Sequence, residues 1–341
     1  MDQTSDKNPI NIVTIGGGKG QATILRGLRK YSYRLNLSAI VSMVDNGGST
    51  GRLMEELRIP PFGGDFRDVM TALSTNQTLV DLFHHRYEHG SDVKGHSVGN
   101  LILLGLLEKA DWDMPTAIKT ACEILDISAG VHPSTTDKVH LVAKYDTGEI
   151  VKGQDNIDND LGRSYQTISD VYTEPTANGH PEAIAAIKAA DYIVLCPGDI
   201  YGSLLCNLVI PDIKQAIAGS TGKIIYITNL MTKINQTHNW KSSRFIAEIN
   251  KYLPRQIDWA IVNNGLLDEQ ITGQSQYASE SWEMVVNDIE SDQIGQTKVI
   301  KDKIWFEGQE FKRVSTDVIP RSFIRHDPAK IADIIMGIAT A

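Results

Sequence analysis

Five short apolar runs set the rhythm of this chain, and each stops at small or polar residues. Ile12-Val13-Thr14-Ile15 breaks at Gly16-Gly17-Gly18-Lys19-Gly20. Ala39-Ile40-Val41-Ser42-Met43-Val44 breaks at Asp45-Asn46-Gly47-Gly48-Ser49-Thr50-Gly51. Tyr192 to Cys196 stops at Pro197-Gly198-Asp199, Lys223 to Thr228 at Asn229-Leu230-Met231-Thr232, and Trp259 to Val262 at Asn263-Asn264-Gly265. Runs this short and β-branched read as buried strands. Between the first two, Ile24, Leu25 and Leu28 recur at helical spacing, which predicts a helix over Gln21 to Tyr31. Strands alternating with helices predict an α/β fold: three layers, with a Rossmann-like, mostly parallel sheet carrying inserted helices.

The same reading places helices at Leu53 to Leu57, Phe66 to Ser74, Leu79 to His89, Leu101 to Glu108, Pro115 to Leu125, Pro181 to Ala190, Asp212 to Ala218, Lys241 to Tyr252 and Pro328 to Ile338. Pro60 to Asp65 is a breaker, and Val131 to Asp137 reads as a loop. His140 to Lys152 alternates as a hairpin about Asp146-Thr147-Gly148, Gln154 to Arg163 reads as a mobile connector, and Ile168 to Thr173 as a strand. Short strands are expected within 281–316, a small subregion. No linker or repeat divides the chain, so residues 1–341 read as one large domain behind a flexible polar arm, 1–9.

Charge and composition narrow the function. A net charge of −9 argues against general nucleic-acid binding. No apolar run reaches the roughly 18–20 residues of a membrane helix. The three cysteines, Cys122, Cys196 and Cys206, have no metal spacing and suit a reducing compartment. With a polar N-terminus, the expectation is a cytoplasmic protein without membrane insertion.

Candidate chemistry lies at the strand ends. Gly16, Gly17, Gly18 and Lys19, after a strand and before a helix, offer backbone N–H groups to an anion. The turn is neither GxGxxG nor a P-loop, because Gln21 stands at the third glycine. Asp45 has three open readings: a ribose acceptor in an NAD(P) site, a cation ligand with Asp65, or an Asx turn. Asn46, Ser49 and Thr50 accompany it in a second glycine-rich turn. Gly95-His96-Ser97-Val98-Gly99 has the spacing of a hydrolase elbow. Because Glu88 to Lys94 is polar, it reads instead as a helix N-cap, leaving Ser97 and Asn100 available to a ligand. His84, His85, His89 and His96 fit no zinc signature. Gly198, Asp199 and Asn229 add donors on the same rim. Arg325 is a phosphate candidate ahead of Asp327, a helix cap before Pro328, and Tyr277 is an aromatic ring able to stack on a base.

Taken together, GGGKG, VDNGGSTGRL, PPFGGDFRDVMTALS, GHSVGNLILLGLLE, HPSTTD, ADYIVLCPGD, NLMT and IRHDP, in this order, resemble the CofD-like proteins. Within them the series resembles the YvcK-type "gluconeogenesis factor" branch. The resemblance implies that Asp45 and Asp65 hold a divalent metal such as Mg²⁺, as in the family's phospholactate transferases. It further implies that Gly16 to Lys19 form a phosphate turn and that Tyr277 and Arg325 contact a UDP-sugar. The chain departs from the pattern at Asn46, at Cys196 to Gly202 and at Lys233 to Thr237.

Three functions follow as expectations. The first is a regulatory protein that binds a UDP-sugar or another nucleoside diphosphate, supports cell-wall and cell-shape maintenance on gluconeogenic carbon sources, and acts through regulatory protein partners as a homo-oligomer. The second is a metal-dependent transferase of a phosphorylated group. The third is an NAD(P)-binding protein of Rossmann type.

Overall fold

The computed structural model describes residues 8–57, 59, 61–159, 161–163, 165–265, 283–314 and 317–340. The β-branched first run becomes β1 (Ile10–Gly16), and the helix after it is α1 (Gly18–Leu28). Next come β2 (Leu35–Val41), α2 (Gly48–Leu57), α3 (Gly64–Leu73), α4 (Gln77–His84), α5 (Val98–Lys109) and α6 (Met114–Ile124). The chain then forms β3 (Gly130–Pro133), β4 (His140–Tyr145), β5 (Ile150–Lys152), α7 (Gln154–Asn159), β6 (Ile168–Glu174), α8 (Pro181–Ala189) and β7 (Tyr192–Leu195). A π-helical segment, Ile200–Leu205, runs into α9 (Cys206–Leu208), followed by α10 (Pro211–Gly219), β8 (Lys223–Ile227), α11 (Ser242–Tyr252) and β9 (Trp259–Asn263). Last come β10 (Gln293–Ile294), β11 (Thr297–Asp302), β12 (Trp305–Val314), β13 (Asp317–His326) and α12 (Pro328–Thr340).

Eight strands form the main sheet in the order β10-β11-β9-β8-β7-β1-β2-β3, and only β10 runs antiparallel to its neighbour. From β1 the chain moves outward to β2 and β3. From β7 it moves the other way, to β8 and β9. The order therefore reverses between β1 and β7, which leaves a crevice beyond their C-terminal ends.

Side-chain alternation separates the sheet's two faces. Val13 and Ile15 of β1, Ile40 of β2 and Ile193 of β7 point to one core, with Ile187, Ile213, Ile217, Phe245 and Ile249 from α8, α10 and α11. Ile12, Ala39, Val41 and Val194 point to the other, with Ile24, Leu25, Phe66, Val69, Ile331 and Ile335 from α1, α3 and α12. Each such fully buried aliphatic side chain contributes on the order of 2 kcal/mol. The three-layer α/β expectation is met.

Several boundaries differ from those expected. Val131 to Pro133, expected as loop, is edge strand β3, paired with β2 from Ser38↔Gly130 to Val41↔Pro133. An edge tolerates the proline that an interior strand would reject. Gln154 to Asn159, expected as connector, is helix α7. The helix expected to reach His89 ends at His84, and Arg86 pairs with Ser97 instead. The hairpin at His140 to Lys152 is present as β4–β5, and β6 joins its other side. Within the tail, β12 and β13 form a ten-residue-per-strand antiparallel hairpin. Arg325 therefore sits at the end of a strand, two residues short of the cap of α12.

Candidate functional site

A cavity of about 520 Å³ opens at the point where strand order reverses. Its walls include Gly17, Gly18, Lys19 and Gly20 from the first turn, Asp65 and Asp68 from α3, and Gly198, Asp199 and Ser203 after β7. Asn229, Thr232 and Lys233 after β8, and Arg325 and His326 from β13, complete it.

The first turn is glycine for steric reasons. Gly18 has φ +52°, a left-handed conformation that side chains resist. A Cβ on Gly17 would stand 2.4 Å from both Asp65 Oδ2 and Ser42 Oγ. Gly17 caps α1 without any side-chain hydrogen bond, and the first turn of α1 carries no acidic residue. Its amides and the positive end of the helix dipole are therefore left for a ligand anion. Gln21, at the position a third glycine would take, is buried. Its Nε2 donates to Thr14 Oγ1 at 3.1 Å and to Ile40 O at 3.0 Å, tying α1 to β1 and β2.

Behind that turn lie two carboxylates. Asp65 Oδ2 accepts from Ser42 Oγ at 2.6 Å, and Asp45 Oδ1 accepts from the Gly47 amide at 3.1 Å. Burial and then the charge of Asp45 push the Asp65 carboxyl up to about 8, and burial raises Asp45 as well. Burial and mutual repulsion are what a bound cation would relieve. The set fits a hard divalent cation of the Mg²⁺ kind, which takes one or two carboxylates and completes its shell with water and ligand phosphate. Among the described residues, no group of three or more acidic, His or Cys side chains is placed to hold a metal alone.

A second carboxylate pair is resolved differently. Asp199 caps the π-helical segment, accepting from the Tyr201 and Gly202 amides at 3.1 and 2.7 Å. Lys233 Nζ lies 2.7 Å from Asp199 Oδ2 and 3.3 Å from Asp158 Oδ1, between the two acids. Burial works to raise Asp199, but Lys233 outweighs it and holds the carboxyl below its ordinary value. Asp158 rises to about 7 through burial and the charge of Asp199. Lys233 itself is raised: burial opposes its charge, and both acids favour it.

On the far wall, the Arg325 guanidinium stacks over the Phe323 ring at 4.5 Å, which fixes its plane. Burial lowers His326 to about 4, so the ring is neutral and its Nε2–H donates to Thr228 O at 2.9 Å.

The structure thus gathers Gly17, Gly18, Lys19, Asp65, Gly198, Asp199, Asn229 and Arg325 around one cavity. Gly16 closes β1 just beneath. Other candidates stand behind the wall. Asn46 Oδ1 accepts from the Asp155 amide at the start of α7, at 2.8 Å. Thr50 Oγ1 accepts from the Gly64 amide at 3.0 Å. Ser97 is a helix cap, receiving the Asn100 amide at 3.2 Å and Arg67 Nη1 at 2.8 Å. Asn100 also accepts from Arg67, at 2.9 Å, and donates to Ser49 Oγ at 3.1 Å. Ser49 Oγ also lies 2.8 Å from His96 Nδ1, and Thr71 Oγ1 lies 2.9 Å from His84 Nε2, so these two histidines bind hydroxyls. Tyr277 lies outside the described residues. Lys233, Thr23, Asp68 and His326 line the cavity without having been singled out. No local spacing marks their role, because α1, α3, the segment after β8 and β13, distant in sequence, bring them together.

A crevice at the strand-order reversal of a three-layer α/β sheet, walled by a glycine turn at a helix N-terminus, places the protein in the doubly wound class. The family model described as "2-phospho-L-lactate transferase CofD" matches residues 12–305, and the chain belongs to this family. It is similar to the gluconeogenesis factor of Bacillus subtilis, 34% identical over 330 residues, covering 96% of this chain and 97% of that protein. The gluconeogenesis factor of Halalkalibacterium halodurans is 35% identical over 283 residues, 82% of this chain and 84% of its own. A crystal structure of a UPF0052 family member from Bacillus halodurans superposes with TM-score 0.85 at 31% identity, covering 97% of this chain and 99% of that one. No helix among the described residues is long and apolar enough to cross a membrane.

Proposed function

We propose that the chain is a nucleotide-sugar-binding regulatory protein that holds a UDP-sugar in the crevice and reports cell-wall precursor supply during growth on gluconeogenic carbon. The observation that carries this reading is the cavity itself. The uncapped N-terminus of α1 lies on one side, with Lys19 beside it, and the stacked Arg325 faces it from β13. Amide, ammonium and guanidinium donors around one opening suit the four non-bridging oxygens of a diphosphate diester. Ser203 offers a neutral hydroxyl to the sugar, while Asn229 is tied to Gly198 O and Thr232 to the Glu283 backbone. Among the described lining residues, the polar side chains lack a nucleophile paired with a free base. His326 spends Nε2 on Thr228 O, and Lys233 is held between two acids. Binding without turnover is the simpler use of such a site.

Titration calorimetry with UDP-N-acetylglucosamine tests this. Saturable heat in the wild type and at least about a tenfold weaker affinity in Arg325→Ala are expected, since a charge-assisted hydrogen bond is worth about 1.5–3 kcal/mol. No heat at millimolar ligand would refute it.

One observation favours a second reading, a metal-dependent transferase: the unrelieved repulsion between Asp45 and Asp65. A divalent cation held there would neutralise charge developing on a phosphoryl group. Ser42 orients Asp65, and Lys19 lies at the same opening. Asp45→Asn abolishing a nucleoside-diphosphate exchange reaction would support that reading, and no turnover with any such donor would remove it. A dinucleotide reading has less support. Asp45 is not among the cavity's walls, and its Oδ1 is taken by the Gly47 amide.

A further inference from the structure

Beside the main cavity lies a second recess of about 340 Å³, bounded by Lys19, Arg26, Arg67, Arg86 and Arg325 and by a single carboxylate, Asp68. Lys19, Thr23, Asp68 and Arg325 belong to both spaces, so the two share a wall. Asp68 is already committed: Arg67 Nη2 and Nε bind its Oδ1 at 2.8 and 3.2 Å. Arg67 is itself buried, 6% exposed, and its Nη1 is fixed by Ser97 and Asn100. The remaining four cations, Lys19, Arg26, Arg86 and Arg325, form no ion pair among the described residues. This concentration of positive charge occurs in a chain whose net charge is −9. The cations disturb one another. Burial and then Arg29 and Arg325 lower Arg26, while burial and then Arg67 lower Arg86. Like charges crowded around an open recess are a standing electrostatic cost that a bound anion removes.

We propose that this recess is a second oxyanion site, distinct from the diphosphate cradle, that takes a phosphate-class dianion. The proposal extends the nucleotide reading by a second anionic group but does not need that reading to hold. Arg67, paired with Asp68, is a fixed part of the lining, and the charges offered to the anion come from Arg26 on α1 and from Arg86, whose Nη1 donates to Gly95 O at 2.8 Å, after α4. The dianion can come from either of two sources. It is a free phosphate or phosphate ester, or it is a second phosphoryl group on the molecule whose diphosphate lies in the main cavity.

The probe is inorganic phosphate, titrated calorimetrically into the full chain at low ionic strength, with and without saturating UDP. Wild type is compared with Arg26→Glu/Arg86→Glu and with Arg26→Lys/Arg86→Lys. Both arginines are partly enclosed by the recess but reach solvent, and circular dichroism checks the fold of each variant. Phosphate should bind the wild type, weaken about a hundredfold in the double Glu variant, and persist within about threefold in the double Lys variant. If UDP leaves that binding intact, the anion is a separate ligand. If UDP blocks it and the Glu variant also weakens UDP, the recess serves one larger ligand. Phosphate binding that the Glu variant leaves unchanged would overturn the proposal, as would its absence from the wild type. Loss of phosphate binding in the Glu variant of a protein that never binds UDP would leave this site standing and remove only the nucleotide reading.

Discussion

The two carboxylate pairs beside the crevice are built from the same residue type, and the fold treats them in opposite ways. Asp158 and Asp199 enclose Lys233, whose ammonium lies within 3.3 Å of one and 2.7 Å of the other. Asp45 and Asp65 enclose no such cation, and both are pushed toward the protonated form. Arg67 lowers each only as a lesser influence, and its hydrogen bonds go to Asp68, Ser97 and Asn100. A pair neutralised from within is part of the scaffold. A pair left unneutralised, with Asp65 on the cavity wall and Asp45 behind it, is suited to a cation that arrives with the ligand.

The largest expected effect breaks the neutralised pair. Lys233→Met strands two acids that are mostly enclosed and should cost about 3–5 kcal/mol in urea unfolding. The double variant Lys233→Met/Asp199→Asn should recover a large part of it, since the coupling is local. If Lys233→Met costs no more than a surface substitution, the two pairs are not different in kind.

Asp65→Asn should act with the opposite sign. It removes a repelled, half-buried charge and should stabilise the metal-free protein by on the order of 1–2 kcal/mol at pH 8. The pH dependence follows from the direction of the shift. Asp65 titrates near 8 in the fold against an ordinary 3.8, so the native state holds the extra proton between those values. Stability contributed by that proton is complete below about 4 and is lost as pH rises through 8. Asp65→Asn should make the fall across this window shallower in chelator-treated samples, although Asp158 contributes a similar slope up to about 7. An unchanged slope would mean that Asp65 ionises freely.

The smallest expected effect separates Asn46 from the acid wall. Its Oδ1 caps the start of α7, so Asn46→Ala should cost about 1 kcal/mol. It should leave intact any rise in melting temperature that Mg²⁺ gives the wild type. Loss of that Mg²⁺ response would move Asn46 into the cation's shell.

The contrast also explains what the sequence could reveal. Contiguous features were legible. The glycine turn and α1, the cap at Ser97, and the cap at Asp327, which receives the Ala329 and Lys330 amides, all depend on neighbours within a few positions. Residues whose roles depend on distant partners were not legible. Gln21 looked like a missing glycine until its amide was seen to bridge β1 and β2. Lys233 looked like a departure from a pattern, and its meaning comes from Asp199 and from Asp158, which is 75 positions away. The basic recess joins α1, α3, the segment after α4 and β13, and no spacing rule connects those elements. The β12–β13 hairpin escaped for another reason: Glu307-Gly308-Gln309-Glu310 carries no alternating apolar pattern, so backbone pairing alone reveals the strand.

The proposed role requires the crevice to hold a nucleoside diphosphate against a cation-dependent acid wall. Its most direct test is calorimetric titration of UDP-N-acetylglucosamine with and without Mg²⁺, in wild type and Asp65→Asn. The account predicts that Mg²⁺ tightens binding about tenfold in the wild type and has no effect in Asp65→Asn. Equal affinities in all four titrations, or no binding in any, would contradict it.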